Sequence, residues 1–400
     1  MGQDAFGPLS GVRVIDVTTV VSGPVCTALL ADQGASVIKI EPPEGDIIRR
    51  TAGDGEFTAM FVACNRGKRS VALDLKHPAA CDVVRRLALV SDVFVQNFRP
   101  GAMDRLGLGA EALCALNPRL VYASISGVGE SGPYAKQRVY DPVIQSLSGL
   151  ADVQTDPETG RPRMVRTIIA DKTTGAFAAQ AICAALFARE RTGEGQHVHL
   201  SMLDAMITFL WPEAMSDQAI PGRAKPTGPP RPDLIFRTTD GFITAGSVSN
   251  AEWRGLCTAL DRSEWIEDPR FRTLAARSAN GAERIALVGA VLATRPTQEW
   301  LARLAAHDVP CAPVLRRDDV LTDPQVVYNG LIETIDQPGL GPIRQARPAA
   351  RFDRTPAEIQ GPAPSIGEHT EAILAELGFP PGEVAALIAS GAASTGKHRP

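Results

Sequence analysis

From Val12 to Ser126 the chain repeats one pattern, a short apolar run followed by a longer run with helical spacing of its apolar residues. Val12–Val17 reads as a strand, Pro24–Gln33 as a helix and Ser36–Ile40 as a second strand, together one βαβ unit. Ser70–Leu75 then reads extended, Pro78–Val90 helical, Val93–Asn97 extended, Ala110–Leu116 helical and Leu120–Ser126 extended. Strands that alternate with helices predict an α/β fold whose parallel sheet is covered on both faces. Further on, Val165–Ala170 reads as an apolar strand feeding an Ala-rich helix from about Thr173 to Thr192, and His197–Leu203 returns as a strand.

The segment 221–233, PGRAKPTGPPRPD, breaks this rhythm: its five prolines and two glycines remove too many backbone donors for an element interior. It predicts a connection to a second domain. That domain holds an extended pair around Asp240-Gly241 and helices at Ala251–Leu260 and Thr297–Ala306. The expected division is a large domain from residues 1–221 and 336–400 and a smaller α+β domain from 222–335. A last helix is expected at Glu368–Leu377, and the residues after Ala393 read as a loose tail.

Charge and cysteine usage narrow the function class. Forty-one Lys and Arg against 45 Asp and Glu leave a net charge of −4, so no long-range positive field recruits nucleic acid or an anionic membrane. The longest weakly polar run, Ala176–Ala188, falls well short of the about 20 residues of a membrane span. Met1-Gly2-Gln3-Asp4 lacks the basic start of a secretion signal. Seven scattered cysteines, never in a CxxC pair, predict reduced thiols and a cytoplasmic location.

Two motifs invite a cofactor and lack its context. Gly127-Val-Gly129-Glu-Ser-Gly132 fits G-x-G-x-x-G after a strand, but the following Pro133–Pro142 stretch has no helical apolar face, so no nicotinamide site is expected. His197 and His199 share one strand face, yet no Cys, Asp or Glu completes a ligand set nearby, so no metal is expected.

Asp171 is the outstanding acidic residue. It ends the apolar run Ile168-Ile169-Ala170 and opens a helix, where unpaired N–H groups and the helix dipole favour its ionised form. It also falls at the carboxyl end of an expected parallel strand, the edge where open α/β sheets bind ligands. A carboxylate there is a nucleophile toward an acyl group, with the helix-end amides available to a developing oxyanion, or else a simple N-cap.

Seven segments taken in order resemble the class III CoA-transferase family, which includes formyl-CoA transferase, carnitine CoA-transferase and the α-methylacyl-CoA racemases. They are PLSGVRVIDVT at 8–18, GPVCTALLADQGASVIKIEPPEGD at 23–46, NRGKRSVALDLK at 65–76, QNFRPGAMDRLGLG at 96–109, SGVGESGPYA at 126–135, RTGEGQHVHLSMLDA at 191–205 and SIGEHTEAILAELGF at 365–379. The resemblance implies a Rossmann-like large domain, an interlaced homodimer, and CoA transfer from an acyl-CoA to a carboxylic acid without metal. It places Asp171 as the nucleophile of acyl-aspartyl anhydride and aspartyl-CoA thioester intermediates. It places Val20, Val21, Lys39, Lys68, Arg69, Asn97, Arg105 and Arg138 around CoA, the cations suiting its phosphates. The family's racemases carry a catalytic histidine where this chain has Tyr140. Tyrosine, with an ordinary pKa of about 10, is a poor base for removing an α-proton. That disfavours a racemase and leaves Tyr140 to hydrogen-bond the acyl carbonyl. The glycine run of the formyl-CoA transferase flap is absent from Thr244–Asn250, and Pro42 and Val21 stand where that enzyme has arginine and glutamine.

Overall fold

A computed structural model describes residues 7–51, 56–222 and 233–396. The chain divides into two compact units, Met1–Lys225 with Gly330–Pro400, and Pro226–Asn329. Most of the Pro/Gly-rich 221–233 segment lies outside the described residues.

The first unit is built on a seven-stranded sheet. Its strands are β1 (Arg13–Asp16), β2 (Ser36–Glu41), β3 (Lys68–Leu73), β4 (Val93–Gln96), β5 (Val121–Ser126) and β6 (His197–Ser201). These six run parallel in the order β3-β2-β1-β4-β5-β6. The chain starts at β1, fills one side of the sheet, and then crosses to β4 on the other side. Such a reversal opens a crevice at the carboxyl ends of the two central strands, where open α/β sheets take ligands. Central strands are apolar throughout because both faces are covered: Ile15, Val71, Phe94 and Tyr122 pack with the Pro78–Leu89 helix on one face. Val14, Val37, Val95 and Ala123 pack with the Ser22–Asp32 and Ile169–Thr192 helices on the other.

Three expectations change. Residues 161–168 form no strand; the helix expected from about Thr173 already begins at Ile169, so Asp171 belongs to its first turn. The expected strand His197–Leu203 ends at Ser201, whose hydroxyl accepts the Asp204 N–H and starts the Met202–Leu210 helix. The expected tail begins in order: after a helix at Pro381–Ala389, a short strand at Ala393–Ser394 pairs antiparallel to β3 at the edge of the sheet, while residues 397–400 lie outside the described residues.

The second unit centres on a three-stranded antiparallel sheet, β7 (Ile235–Arg237), β8 (Phe242–Ala245) and β9 (Cys311–Pro313), with the turn at Asp240-Gly241 where expected. Trp253, Trp265, Phe271 and Trp300 fill its core against Phe236 and Ile243.

Candidate active site

The carboxyl ends of β1, β4 and β5 open into a cavity of about 410 Å³, lined among others by Val20, Ser22, Asn97, Arg99, Arg138, Tyr140 and Asp171. It stands at the reversal of strand order. Asn97, just after β4, locks the loop after β1: its Oδ1 accepts the Thr19 N–H at 2.9 Å and its Nδ2 donates to the Thr19 carbonyl at 2.8 Å. The next residue, Val20, has a φ of 68°, a left-handed conformation that a β-branched side chain avoids. The turn is held from beneath by the buried pair Lys39–Asp46: Lys39 Nζ donates to the Thr18 carbonyl at 2.9 Å, and Asp46 accepts the Val20 N–H at 3.3 Å.

Asp171 lies where two helices begin. Its own helix is not capped by its carboxylate. The N-cap residue Ile168 supplies no side-chain bond, and Asp141 does the work instead, its Oδ2 accepting the N–H groups of Ala170 at 2.7 Å and Asp171 at 3.3 Å. Gln145 Nε2 holds the other oxygen of Asp141 at 2.5 Å. These amides are therefore spent, and the expectation that they serve a developing oxyanion is corrected. The Asp171 carboxylate instead meets the N–H and hydroxyl of Ser22, at the start of the Ser22–Asp32 helix. Gly175, one turn on, permits that approach: a Cβ there would lie 2.8 Å from the Ser22 carbonyl oxygen and 2.8 Å from a Val25 methyl. Burial, then the neighbouring Asp141 charge, push the Asp171 carboxyl up to about 6, against the lowering effect of Ser22. At neutral pH it is ionised, poorly solvated and aimed into the cavity, the state a carboxylate nucleophile requires.

Of the residues expected around CoA, the structure brings Val20, Asn97 and Arg138 to this cavity, with Tyr140 and Asp171. Others go elsewhere. Lys39 and Lys68 are buried, so the expectation that they reach phosphates is corrected. Lys68 Nζ donates to Asp16 at 2.8 Å, Asn65 Oδ1 at 2.9 Å and the Pro24 carbonyl at 3.0 Å. Burial opposes the Asp16 charge, yet Lys68 and Lys39 outweigh it and hold that carboxyl well below the usual range. Arg69 makes a two-pronged pair with Glu376 at 2.6 and 3.0 Å. Arg105 ends the short Ala102–Arg105 helix and does not line the cavity, and Val21 is buried. Sequence reasoning missed Ser22, Arg99 and Asp141; a serine at the first helical position after β1 was the legible signal for Ser22.

The G-x-G-x-x-G loop opens into turns rather than a helix, as its downstream sequence implied, and its Gly127 and Gly129 line the cavity rim. The expectation that no acidic residue completes a set with His197 and His199 is corrected, since Glu130 of this loop bonds His199 and brings a carboxylate oxygen within 4.8 Å of a ring nitrogen of His197. Among the described residues no helix is long and apolar enough to cross a membrane.

Comparison with known proteins gives the family. The model of CoA-transferase family III matches residues 9–370. The chain is 33% identical over 97% of its length to the succinyl-CoA:glutarate CoA-transferase of Mus musculus, covering 91% of that protein. It is 35% identical over 92% of its length to the succinate–glutarate CoA-transferase of Agrobacterium fabrum, covering 96% of it. The crystal structure of Rv3272 from M. tuberculosis superposes with a TM-score of 0.82 at 32% identity, over 92% of this chain and 100% of that one. A cavity at the strand-order reversal, an ionised carboxylate inside it and similarity along almost the whole chain converge, and the chain belongs to CoA-transferase family III as an enzyme of that class.

Proposed function

We propose that the enzyme moves CoA between short dicarboxylic acids, with Asp171 as the covalent nucleophile. The observation that carries the reading is the released carboxylate: Asp141 caps the Asp171 helix, so the Asp171 oxygens are spent on no cap and meet only Ser22 at the cavity wall. An Asp171 oxygen attacks the thioester carbonyl of the donor, and the C–S bond breaks to leave an acyl-aspartyl anhydride and CoA thiolate. The thiolate attacks the aspartyl carbon of the anhydride, forming aspartyl-CoA thioester and freeing the donor acid. The acceptor carboxylate attacks that thioester, again expelling thiolate, and the thiolate takes the acceptor acyl group from the second anhydride. Asp171 is regenerated as a carboxylate. Each step exchanges acyl oxygen for acyl sulfur, so no thioester bond is hydrolysed.

Arg99 and Arg138, exposed on the cavity rim, suit the anionic groups of the substrates, Val20 and Asn97 shape the wall, and the Tyr140 hydroxyl reaches for the acyl carbonyl. The choice of succinyl and glutaryl groups is supported by the names of the two relatives given above. The working form is a homodimer in the cytoplasm, with Phe187, Phe209 and Trp211, all about half exposed on the single chain, covered by the second copy.

The test mixes the protein with succinyl-CoA and glutarate, then with succinyl-CoA and hydroxylamine. Glutaryl-CoA forms in the first, and in the second a hydroxamate maps to Asp171 by mass spectrometry and is absent from Asp171→Ala. A modified residue other than Asp171 would overturn the mechanism. Deuterium wash-in at Cα without CoA exchange would overturn the transferase reading in favour of a racemase.

A further inference from the structure

β6 is an edge strand of the sheet, and His197 and His199, two residues apart, project from the same face of it. Their rings lie together, with centroids 3.6 Å apart. Glu130, 69 residues earlier in the G-x-G-x-x-G loop, brings Oε2 to 2.8 Å from His199 Nδ1. One donor atom from each of the three lies within 4.8 Å of the other two. We propose that Glu130, His197 and His199 bind one divalent transition-metal ion of the Zn²⁺, Co²⁺ or Ni²⁺ class.

Two further features fit this role. His197 is oriented by a bond from its Nε2 to the Ser124 hydroxyl at 2.8 Å, and Ser124 in turn accepts from Gln96 Nε2 at 2.9 Å. Metal-binding histidines are held in this way, through a partner on the ring nitrogen that does not bind the ion. Beside the cluster lies a second cavity of about 340 Å³, whose walls include the carboxylates of Asp104, Glu111 and Glu130 against the single arginine Arg99. It gives a cation a route in and room for the water that completes its shell. Ligand bonds of about 2.1 Å place tetrahedral donors about 3.4 Å apart, a closure that the exposed Glu130 and His199 side chains make by rotation. Two imidazoles and one carboxylate select a borderline ion over Mg²⁺ or Ca²⁺, which take all-oxygen shells.

The consequence is a cross-link. Bound metal ties the Gly127–Gly132 loop to β6, and because Gly127 and Gly129 also line the reaction cavity, the ion stiffens one wall of it. Asp171 does not line this second cavity.

Tag-free, chelator-treated full-length protein is titrated with Zn²⁺ by calorimetry and with Co²⁺ by visible absorption, and hydrogen exchange of residues 127–132 is followed with and without Zn²⁺. The expected result is one equivalent bound, with slower exchange in the loop. His199→Ala and Glu130→Gln, both at exposed positions, each weaken binding about tenfold or more and abolish the exchange effect, while the Tm of the metal-free protein stays unchanged. Absence of binding to the wild-type protein, or equal binding by both variants, would overturn the site. Binding without slower loop exchange would overturn the cross-link.

Discussion

The carboxylate of Asp141 accepts the backbone N–H of Asp171 at 3.3 Å, so one aspartate caps the helix on which the other is carried. The arrangement has two effects at once. It fixes the direction of Asp171 within the first turn, and it sets a second negative charge close enough to make ionisation of Asp171 harder.

The first prediction concerns Asp171 itself. Below its ordinary value of 3.8 the carboxyl is protonated in both folded and unfolded chains, and its raised value is harmless. Between 3.8 and about 6 the folded protein keeps a proton that the unfolded chain has released, so stability falls as pH rises, and above about 6 the loss is constant. Asp171→Asn therefore abolishes transfer yet raises stability at pH 7.5 by about 2–3 kcal/mol, with the gain shrinking as pH falls from 6 towards 4. Urea denaturation at several pH values checks this; a variant less stable than wild type at pH 7.5 contradicts it.

Activity has the opposite pH dependence. In the proposed mechanism the nucleophile is the ionised form of Asp171, so kcat/KM is expected to fall with unit slope as pH drops through about 6. Asp141→Asn keeps an oxygen for the Ala170 N–H while removing the charge, and the acid limb moves to lower pH. An unmoved limb in this variant would assign the titration to another group.

Gly175→Ala tests the helix contact that delivers Ser22. Alanine gains about 1 kcal/mol in helix propensity, but its Cβ meets the Ser22 carbonyl oxygen and Val25 at 2.8 Å, and overpacking of this kind costs about 1–3 kcal/mol. A lower Tm and a lower kcat are expected together, because Ser22 is displaced from the Asp171 carboxylate. Unchanged values of both would mean that the helices part without consequence.

Lys68 distinguishes an internal strut from a phosphate contact. Lys68→Ala leaves Asp16 buried without its principal counter-charge and costs about 3–5 kcal/mol of stability, with little change in KM for acyl-CoA in the fraction that stays folded. Calorimetric Tm and steady-state kinetics read the two effects separately; a raised KM at wild-type Tm would restore Lys68 to the CoA site.

The sequence by itself determined the layered α/β plan of the first 126 residues, because strand and helix periodicities are local and each is written in consecutive side chains. It also singled out Asp171, since an acidic residue between an apolar run and a helix is visible without a fold. The strand expected at 165–170 failed for a related reason: a short apolar run fits a strand as well as the buried approach to a helix, and periodicity alone does not separate them. Only the tertiary structure decided which charges face solvent. Lys39 and Lys68 look like surface cations until Asp16 and Asp46 are folded against them. It alone set Asp141 beneath the helix carrying Asp171, 30 residues away, and Glu130 beside His199, 69 residues away. Such pairings are made by the sheet, which brings the ends of distant strands to one edge, and no local pattern in the chain encodes them.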